Sequence, residues 1–246
     1  MFHLAAEVRR DRFDDQPHEA FDVNSTGTLA VLNYCYKTGA KCVLMSTSGV
    51  YKDTETGGAL SEDSPIGPAS AYAVSKWIAE SACRRQAIDL GVQSVVLRLF
   101  NAYGPGQRSS YIVPHVIENI LGNTSLSLRM PDAKRDFVHV DDVVEALIKA
   151  GTVAAADFSV FNIASGRGTR IGDLVRLCED LLGKAADIVE AKTHAEEAAS
   201  AVADIGLAQR ELGWSPLRDL RSGLADLGAS MAKPVQSSDS QRRLAG

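Results

Sequence analysis

No stretch of this chain supplies the roughly 20 consecutive apolar residues that a bilayer-spanning helix needs. The opening Met1–Ala6 is followed at once by Glu7, Arg9 and Arg10, so neither a signal peptide nor an anchor is expected, and no membrane partner. Cysteine is scarce: Cys35, Cys42, Cys83 and Cys178 are scattered and form no C-x-x-C pair. That spacing argues against a metal site and fits reduced structural thiols in a cytoplasm. Basic charge has no excess, because 26 Lys and Arg face 31 Asp and Glu for a net charge of -5. No global positive field therefore draws nucleic acid or anionic lipid. Internal repeats are absent as well. What is there is 246 residues, 45% hydrophobic and 23% charged, enough to bury a core in one or two domains.

The first two-thirds alternates short apolar runs with longer amphipathic stretches. Phe2 to Ala6 and Lys41 to Ser46 read as strands, and Glu19 to Thr38 between them reads as a helix stopped by Gly39. Ala71 to Leu90 predicts a second helix, with Ser70 as N-cap and Gly91 as stop, followed by a strand over Val92 to Phe100. Strand and helix in alternation point to an α/β fold, a parallel sheet with helices on both faces. Beyond Tyr103-Gly104-Pro105-Gly106 the rhythm loosens. Helices are expected over Ile112 to Leu121, Asp141 to Ala150, Ile171 to Leu182 and Ala203 to Leu212, and strands over Leu126 to Met130 and Phe158 to Ile163. From Pro234 the residues are small and polar, the composition of a disordered tail.

Tyr72 and Lys76 lie four apart on a helix and so share a face. A phenol with a reference pKa near 10 is a poor base at neutral pH, but a fixed ammonium nearby favours the phenolate. Such a tyrosine can exchange a proton with an alcohol or carbonyl oxygen. The spacing alone occurs by chance on many helices. Upstream, however, the apolar strand Cys42-Val43-Leu44-Met45 ends in Ser46-Thr47-Ser48. Ligands of open parallel sheets bind beyond the carboxyl ends of the strands, where Thr47 reaches the same oxygen. The blander alternative is that these hydroxyls only cap the strand and begin the turn.

These segments, in their order, resemble the extended short-chain dehydrogenase/reductases, specifically the NAD-dependent nucleotide-sugar epimerase/dehydratase branch. The resemblance rests on His3-Leu4-Ala5-Ala6, Asn24-x-x-Gly27-Thr28, Ser46-Thr47-x-x-Val50-Tyr51, Tyr72-x-x-x-Lys76, Leu97-Arg98-Leu99-Phe100-Asn101-x-Tyr103-Gly104-Pro105 and Arg135-Asp136-Phe137-Val138-His139-Val140-Asp141-Asp142. Phe161-Asn162-Ile163-Ala164 and Leu212-Gly213-Trp214-x-Pro216 follow. It implies Thr47 as the catalytic hydroxyl, Tyr72 as acid/base, and Lys76 as the residue that holds the nicotinamide ribose and lowers the tyrosine pKa. Ala5 and Ala6 line the cofactor in this reading, and Asn24, assigned to the cofactor site, lies on the helix beneath it. Asn101, Arg108 and Arg135 fall to the sugar nucleotide, for whose diphosphate a guanidinium is well shaped. An ordinary salt bridge of Arg135 with Asp136 or Asp141 is the alternative there.

Two departures qualify the resemblance. Dehydratases of this family carry Asp-Glu after the catalytic Thr, where this chain has Ser48 and Gly49, so epimerisation or reduction is expected over dehydration. The family's G-x-x-G-x-x-G turn and ribose-binding acid come before the His-Leu-Ala-Ala strand, and no such strand-to-helix turn occurs in these 246 residues. The expectation is therefore a truncated Rossmann-like parallel sheet (1–105), a smaller mixed C-terminal substrate-binding lobe (106–233) with segments returning to the sheet, and a tail (234–246). NAD, or NADP, is expected to bind weakly to this chain alone. The expected activity is that of a nucleotide-sugar epimerase, inactive in this truncated chain and gained only when the N-terminal half is supplied. A non-catalytic remnant or partner-binding protein, or a one-way reductase or dehydrogenase, is the alternative. Helices 19–38 and 71–90 occupy the places where the family pairs subunits. Leu29, Leu32, Tyr36, Trp77 and Ile78 there predict a homodimer.

Overall fold

The computed structural model describes residues 1–52, 58–128, 130–154, 156–190 and 200–232. In chain order, β1 (Phe2–His3) leads through α1 (Arg10–Asp15) and α2 (Pro17–Phe21) to a π-helical turn, Asp22–Thr26, and then α3 (Gly27–Thr38). β2 (Cys42–Thr47) ends in a short 3-10 turn, Ser48–Val50, and α4 (Ala71–Leu90), β3 (Ser94–Leu99) and β4 (Asn101–Tyr103) follow. Next come α5 (Ile112–Gly122), β5 (Ser125–Leu128), β6 (Lys134–His139), α6 (Val140–Thr152) and β7 (Phe158–Ile163). β8 (Gly168–Arg170), α7 (Ile171–Leu182), β9 (Asp187–Glu190), β10 (Ser200–Ala201), α8 (Gly206–Glu211) and α9 (Leu220–Met231) complete it.

The main sheet is parallel throughout, in the order β1-β2-β3-β7. Its strands carry near-continuous apolar runs because both faces are covered. On one face Leu44 and Val96 pack against Leu32, Cys35, Ala79 and Cys83 of α3 and α4. On the other, Val43, Val95, Leu97 and Phe161 meet Val143, Ala146 and Ala150 of α6 with Ala208, Leu212 and Trp214. A smaller sheet, β10-β6-β4 with β8 antiparallel to β6, and the β5-β9 pair build the second lobe. Its core joins α5, α7 and α9 through Val116, Ile117, Leu174 and Leu227.

Two buried carboxylates fasten this lobe. Asp142, near the start of α6, accepts the backbone N–H groups of Leu217 and Arg218 at 3.0 and 3.1 Å, while its carbonyl accepts from the Trp214 indole at 2.9 Å. Asp136 of β6 accepts from the backbone of Ser165, Gly166 and Ala203 at 2.7, 3.0 and 3.1 Å, and from the Ser165 hydroxyl at 2.6 Å. Burial raises the Asp136 pKa, and those four bonds act against it. Backbone donors fix these loops more firmly than side-chain pairs would, because they carry no rotamer freedom to lose.

The long elements match the sequence expectation, and α4 runs over Ala71–Leu90 with Ser70 accepting from the Ala73 N–H and Gly91 at φ 67°. The differences are local. The first strand stops at His3 because the chain then turns toward Asn24. Glu19 to Thr38 is not one helix but α2, the π-helical turn and α3. The helix expected over Ala203 to Leu212 begins only at Gly206, since Ala203 bridges to Leu60. Leu32, grouped with the dimer-facing residues from sequence, is buried in the core. The polar tail from Pro234 lies outside the described residues.

The tightest approach in the second lobe sets a test of its packing. A Cβ added at Gly223 of α9 would fall 2.1 Å from the Tyr103 hydroxyl, whereas one added at Gly122 of α5 meets nothing closer than 3.8 Å. Gly223→Ala should therefore destabilise the chain by about 1–3 kcal/mol. Gly122→Ala should be neutral or slightly stabilising. Equilibrium urea unfolding of the two variants checks the pair.

Candidate active site

The carboxyl ends of β1, β2 and β3 open onto a cleft of about 640 Å³, bounded on its far side by β4 and the start of α5. Ser46 and Thr47 enter it from β2, Tyr72 and Lys76 from α4, and Asn101, Arg108 and Tyr111 from the segment after β3. Leu4, Ala6 and Val8 form an apolar wall where the chain leaves β1. A second hollow of about 520 Å³ adjoins it, shares Asn101 and Ile112, and carries Arg135 and His115. The residues expected from sequence to handle alcohol chemistry thus face one cleft, and Arg135 lies in its extension. Ala5 is exposed beside that wall without lining the cleft.

Thr47 accepts the Gly49 N–H at 3.2 Å, so its hydroxyl caps the turn as the blander reading holds, and its own proton remains available to the cleft. Tyr72 meets the ring of Phe13 edge-on at 6.1 Å. Burial, with a contribution from Tyr111, pushes its phenol up to about 12. The lowering of this pKa expected from Lys76 is not found; burial sets its direction. Lys76 is 2% exposed, and burial pulls its ammonium down to about 8. Because the folded pKa lies below the unfolded one, the buried charge opposes folding at neutral pH, and stability rises with pH from about 8 upward. No hydrogen bond holds the Lys76 ammonium among the described residues. A buried donor of this kind, open to a cleft, fits the paired hydroxyls of a ribose.

Asn24 departs from the cofactor contact expected of it. It is fully buried, its carbonyl oxygen accepts the Glu7 N–H at 2.8 Å, and its amide donates to the Glu7 carbonyl and the Ser75 hydroxyl, both at 2.9 Å. Ser75 in turn donates to the Tyr72 carbonyl at 2.7 Å. With every amide proton committed, Asn24 is a clamp that ties the exit of β1 to the first turn of α4. The π-helical turn supplies the extra residue that aims it inward, a common use of such turns at functional sites. Next to it Thr28 donates to the Asn24 backbone carbonyl at 2.7 Å, so His3, 2.9 Å away, serves as the donor to Thr28. Burial and the nearby Lys76 lower the pKa of His3 and keep its ring neutral.

Of the substrate residues, Asn101 is half-buried and donates to the Asp136 carbonyl at 3.4 Å, while Arg108 is exposed at the rim. Arg135 is half-buried and donates to the Lys134 carbonyl at 3.1 Å. Asp141 pairs with Arg218 at 2.7 Å, and Asp136 takes the backbone donors described above.

Sequence reasoning missed a buried polar group under the cleft. Glu80 and Arg98 form a salt bridge at 2.8 Å with side chains 1% and 5% exposed, and Ser46 donates to the Glu80 carboxylate. Tyr51 covers Arg98 at 4.8 Å and donates to Asn162 at 2.6 Å. Its signal was an arginine inside the apolar strand Val95-Val96-Leu97-Arg98-Leu99, since such a charge is buried only with a partner.

The profile of the NAD dependent epimerase/dehydratase family matches residues 1–164. UDP-glucuronic acid decarboxylase 1 of Xenopus tropicalis is 27% identical over 231 residues, which are 91% of this chain but 54% of that protein. The chain thus spans about half the length of that relative. Among solved structures, a UDP-glucose 4-epimerase of Thermotoga maritima with UDP-glucose superposes with a TM-score of 0.88 at 28% identity, over 94% of this chain and 76% of that one. A UDP-glucuronic acid 4-epimerase of Bacillus cereus, in complex with UDP-glucuronic acid and NAD, gives 0.85 at 28% identity over 93% and 74%. With two-thirds of its length under the family profile and its fold superposing on solved epimerases, this chain belongs to the NAD dependent epimerase/dehydratase family.

Proposed function

We propose that the chain carries the substrate-side machinery of a nucleotide-sugar epimerase. The observation that carries this reading is the convergence of Thr47, Tyr72 and a buried, unbonded Lys76 on one cleft that continues past Asn101 to Arg135. Bound NAD supplies the hydride acceptor and donor of such a reaction. In the oxidative half, which comes first, Tyr72 acts as the phenolate and takes the proton of the reacting hydroxyl; in the reductive half the phenol so formed returns it to the carbonyl oxygen. Because burial pushes the phenol up to about 12, the phenolate depends on the charge beside it. Thr47 directs its free proton to the same oxygen, and the Lys76 ammonium favours the transient phenolate. Arg135 and Arg108 offer guanidinium groups to a diphosphate lying along the cleft. Ser48 and Gly49 have no carboxyl group to eliminate water, which favours epimerisation over dehydration. UDP-sugars are the first substrates to test, because the relatives named above act on or hold them.

The fit to NAD is one-sided. Lys76, Ala6 and the apolar wall suit the nicotinamide and its ribose, but these 246 residues contain no glycine-rich strand-to-helix turn for the pyrophosphate. Charge-assisted bonds of that kind contribute about 1.5–3 kcal/mol each. Calorimetry on the chain alone should therefore register no binding at sub-millimolar NAD; micromolar affinity would sink this account of the cofactor.

Chemistry is tested by assaying a panel of UDP-, GDP- and dTDP-sugars, UDP-glucuronic acid included, on the chain and on a version extended by a glycine-rich dinucleotide-binding segment. Tyr72→Phe should lower kcat by about 10²- to 10⁴-fold and leave KM nearly unchanged. Full activity of the variant on any substrate the parent turns over would remove Tyr72 from the mechanism.

A homodimer is proposed through α3 and α4, where Leu29, Tyr34, Tyr36 and Ile78 are 48%, 51%, 54% and 43% exposed. Neighbouring apolar side chains of this size on packed helices suit a self-complementary interface. Sedimentation velocity at micromolar concentration should give a dimer, and a clean monomer would count against the interface.

A further inference from the structure

We infer that Glu80 is a positioning residue of the proposed site: held rigidly by Arg98 and Ser46, it is the buried counter-charge that keeps Lys76 an ammonium within the cleft. Tyr72, Lys76 and Glu80 follow one another at intervals of four on α4, so the three side chains stack along one face. Glu80 is 1% exposed and Arg98 4%. The guanidinium reaches the carboxylate three times, through Nε at 3.1 and 3.3 Å and Nη2 at 2.8 Å. Ser46, which lines the cleft beside Thr47, donates to the same carboxylate.

Arg98 has no room to swing away. Its Nη1 donates to the Glu62 carbonyl at 3.1 Å, Tyr51 stacks on it, and Tyr51 is held by Asn162, whose backbone N–H is fixed by the Glu62 carboxylate at 2.7 Å. A pair this deeply buried is weak as a source of stability, since well-packed apolar residues often serve as well. Its placement next to Lys76 gives it another use.

The groups facing Lys76 leave Glu80 as the one effective counter-charge. On β1, His3 is neutral. On β2, Ser46 and Thr47 offer uncharged hydroxyls. On α4, Tyr72 is a neutral phenol, and Cys83 stays a thiol because its contact with Cys42 and its burial push its pKa up. Arg98 of β3 stands behind Glu80 with its charge directed onto the carboxylate. Burial drives Lys76 toward the neutral amine; Cys83 and then Glu80 oppose that drive, and of the two only Glu80 carries a charge near neutral pH, because the Cys83 thiol is pushed up. A neutral amine could neither stabilise a phenolate nor donate as strongly to a ribose, so the counter-charge sets the pH above which the site fails.

The inference rests on the reading of Lys76 as a site residue, but its test requires no turnover, so failure of one leaves the other distinguishable. Lysine side chains of the full chain, isotopically labelled, are titrated by NMR, with the Lys76 signal assigned by its loss in Lys76→Arg. Glu80→Gln should lower the Lys76 midpoint by about one unit or more, which is about a tenfold rise in the ratio of neutral amine to ammonium. Glu80→Gln combined with Arg98→Gln removes both halves of the ion pair, so no unpaired guanidinium is left behind, and stands in should the single variant unfold. Its midpoint should also fall, but by less than in the single variant, because the guanidinium that repels Lys76 has gone too. An unchanged midpoint in the folded double variant overturns the proposal. So does a fall as large as that of a folded single variant, which would mark a packing effect.

Discussion

A parallel sheet ends its strands on one side, and the polar groups gathered there must be satisfied without water. Here that constraint falls on a single row of the register: Ser46 of β2 lies beside Arg98 of β3, which lies beside Asn162 of β7. One position earlier on the same face stand Leu44, Val96 and Val160, part of the apolar core under α3 and α4. The sheet therefore changes from dry core to polar floor within two residues. Glu80 from α4 and Glu62 from the loop after β2 close over that floor, and Tyr51 seals it. Replacing any one member would leave a buried partner unmatched, which costs far more than the net gain from a single hydrogen bond.

This floor fixes α4 lengthwise, and the clamp at Asn24 fixes its first turn. The helix is held at Ser75 from one side and at Glu80 from the other, and Lys76 projects between these two anchors. The position of Tyr72 is thus set by groups buried behind the cleft rather than by those lining it. Arg135 is placed by a separate device. Its strand, β6, is pinned through the neighbouring Asp136 to the loop after β7 and to Ala203, so the two halves of the cleft are tied to the main sheet by different carboxylates.

The α/β architecture was legible because long elements carry long patterns. Ala71 to Leu90 and Phe158 to Ile163 have clean boundary residues, and Tyr72-x-x-x-Lys76 places two side chains on one helix face whatever surrounds it. What the sequence hid were features decided by tertiary partners. The π-helical turn depends on Asn24 reaching Glu7 and Ser75, across gaps of 17 and 51 residues. The strand over Lys134–His139 begins with three charged residues, a pattern that reads as loop until Asp136 is seen to collect backbone donors. Glu80 reads as an ordinary solvated charge on a helix. Only its pairing with an arginine embedded in an apolar strand marks it as buried.

The direction of the Tyr72 pKa follows from the same economy of burial. Sequence reasoning credited Lys76 with drawing a proton off the phenol, as a charge four residues away would in a wetter site. In the folded chain both groups are buried, and desolvation disfavours phenolate and ammonium alike. The lysine can assist the tyrosine only to the extent that something else keeps the lysine charged. Under the proposed function, that dependence ties the acid/base chemistry to the polar row beneath the cleft. The alcohol side of the site is therefore a property of the β2, β3 and α4 unit as a whole rather than of three residues recognised by their spacing.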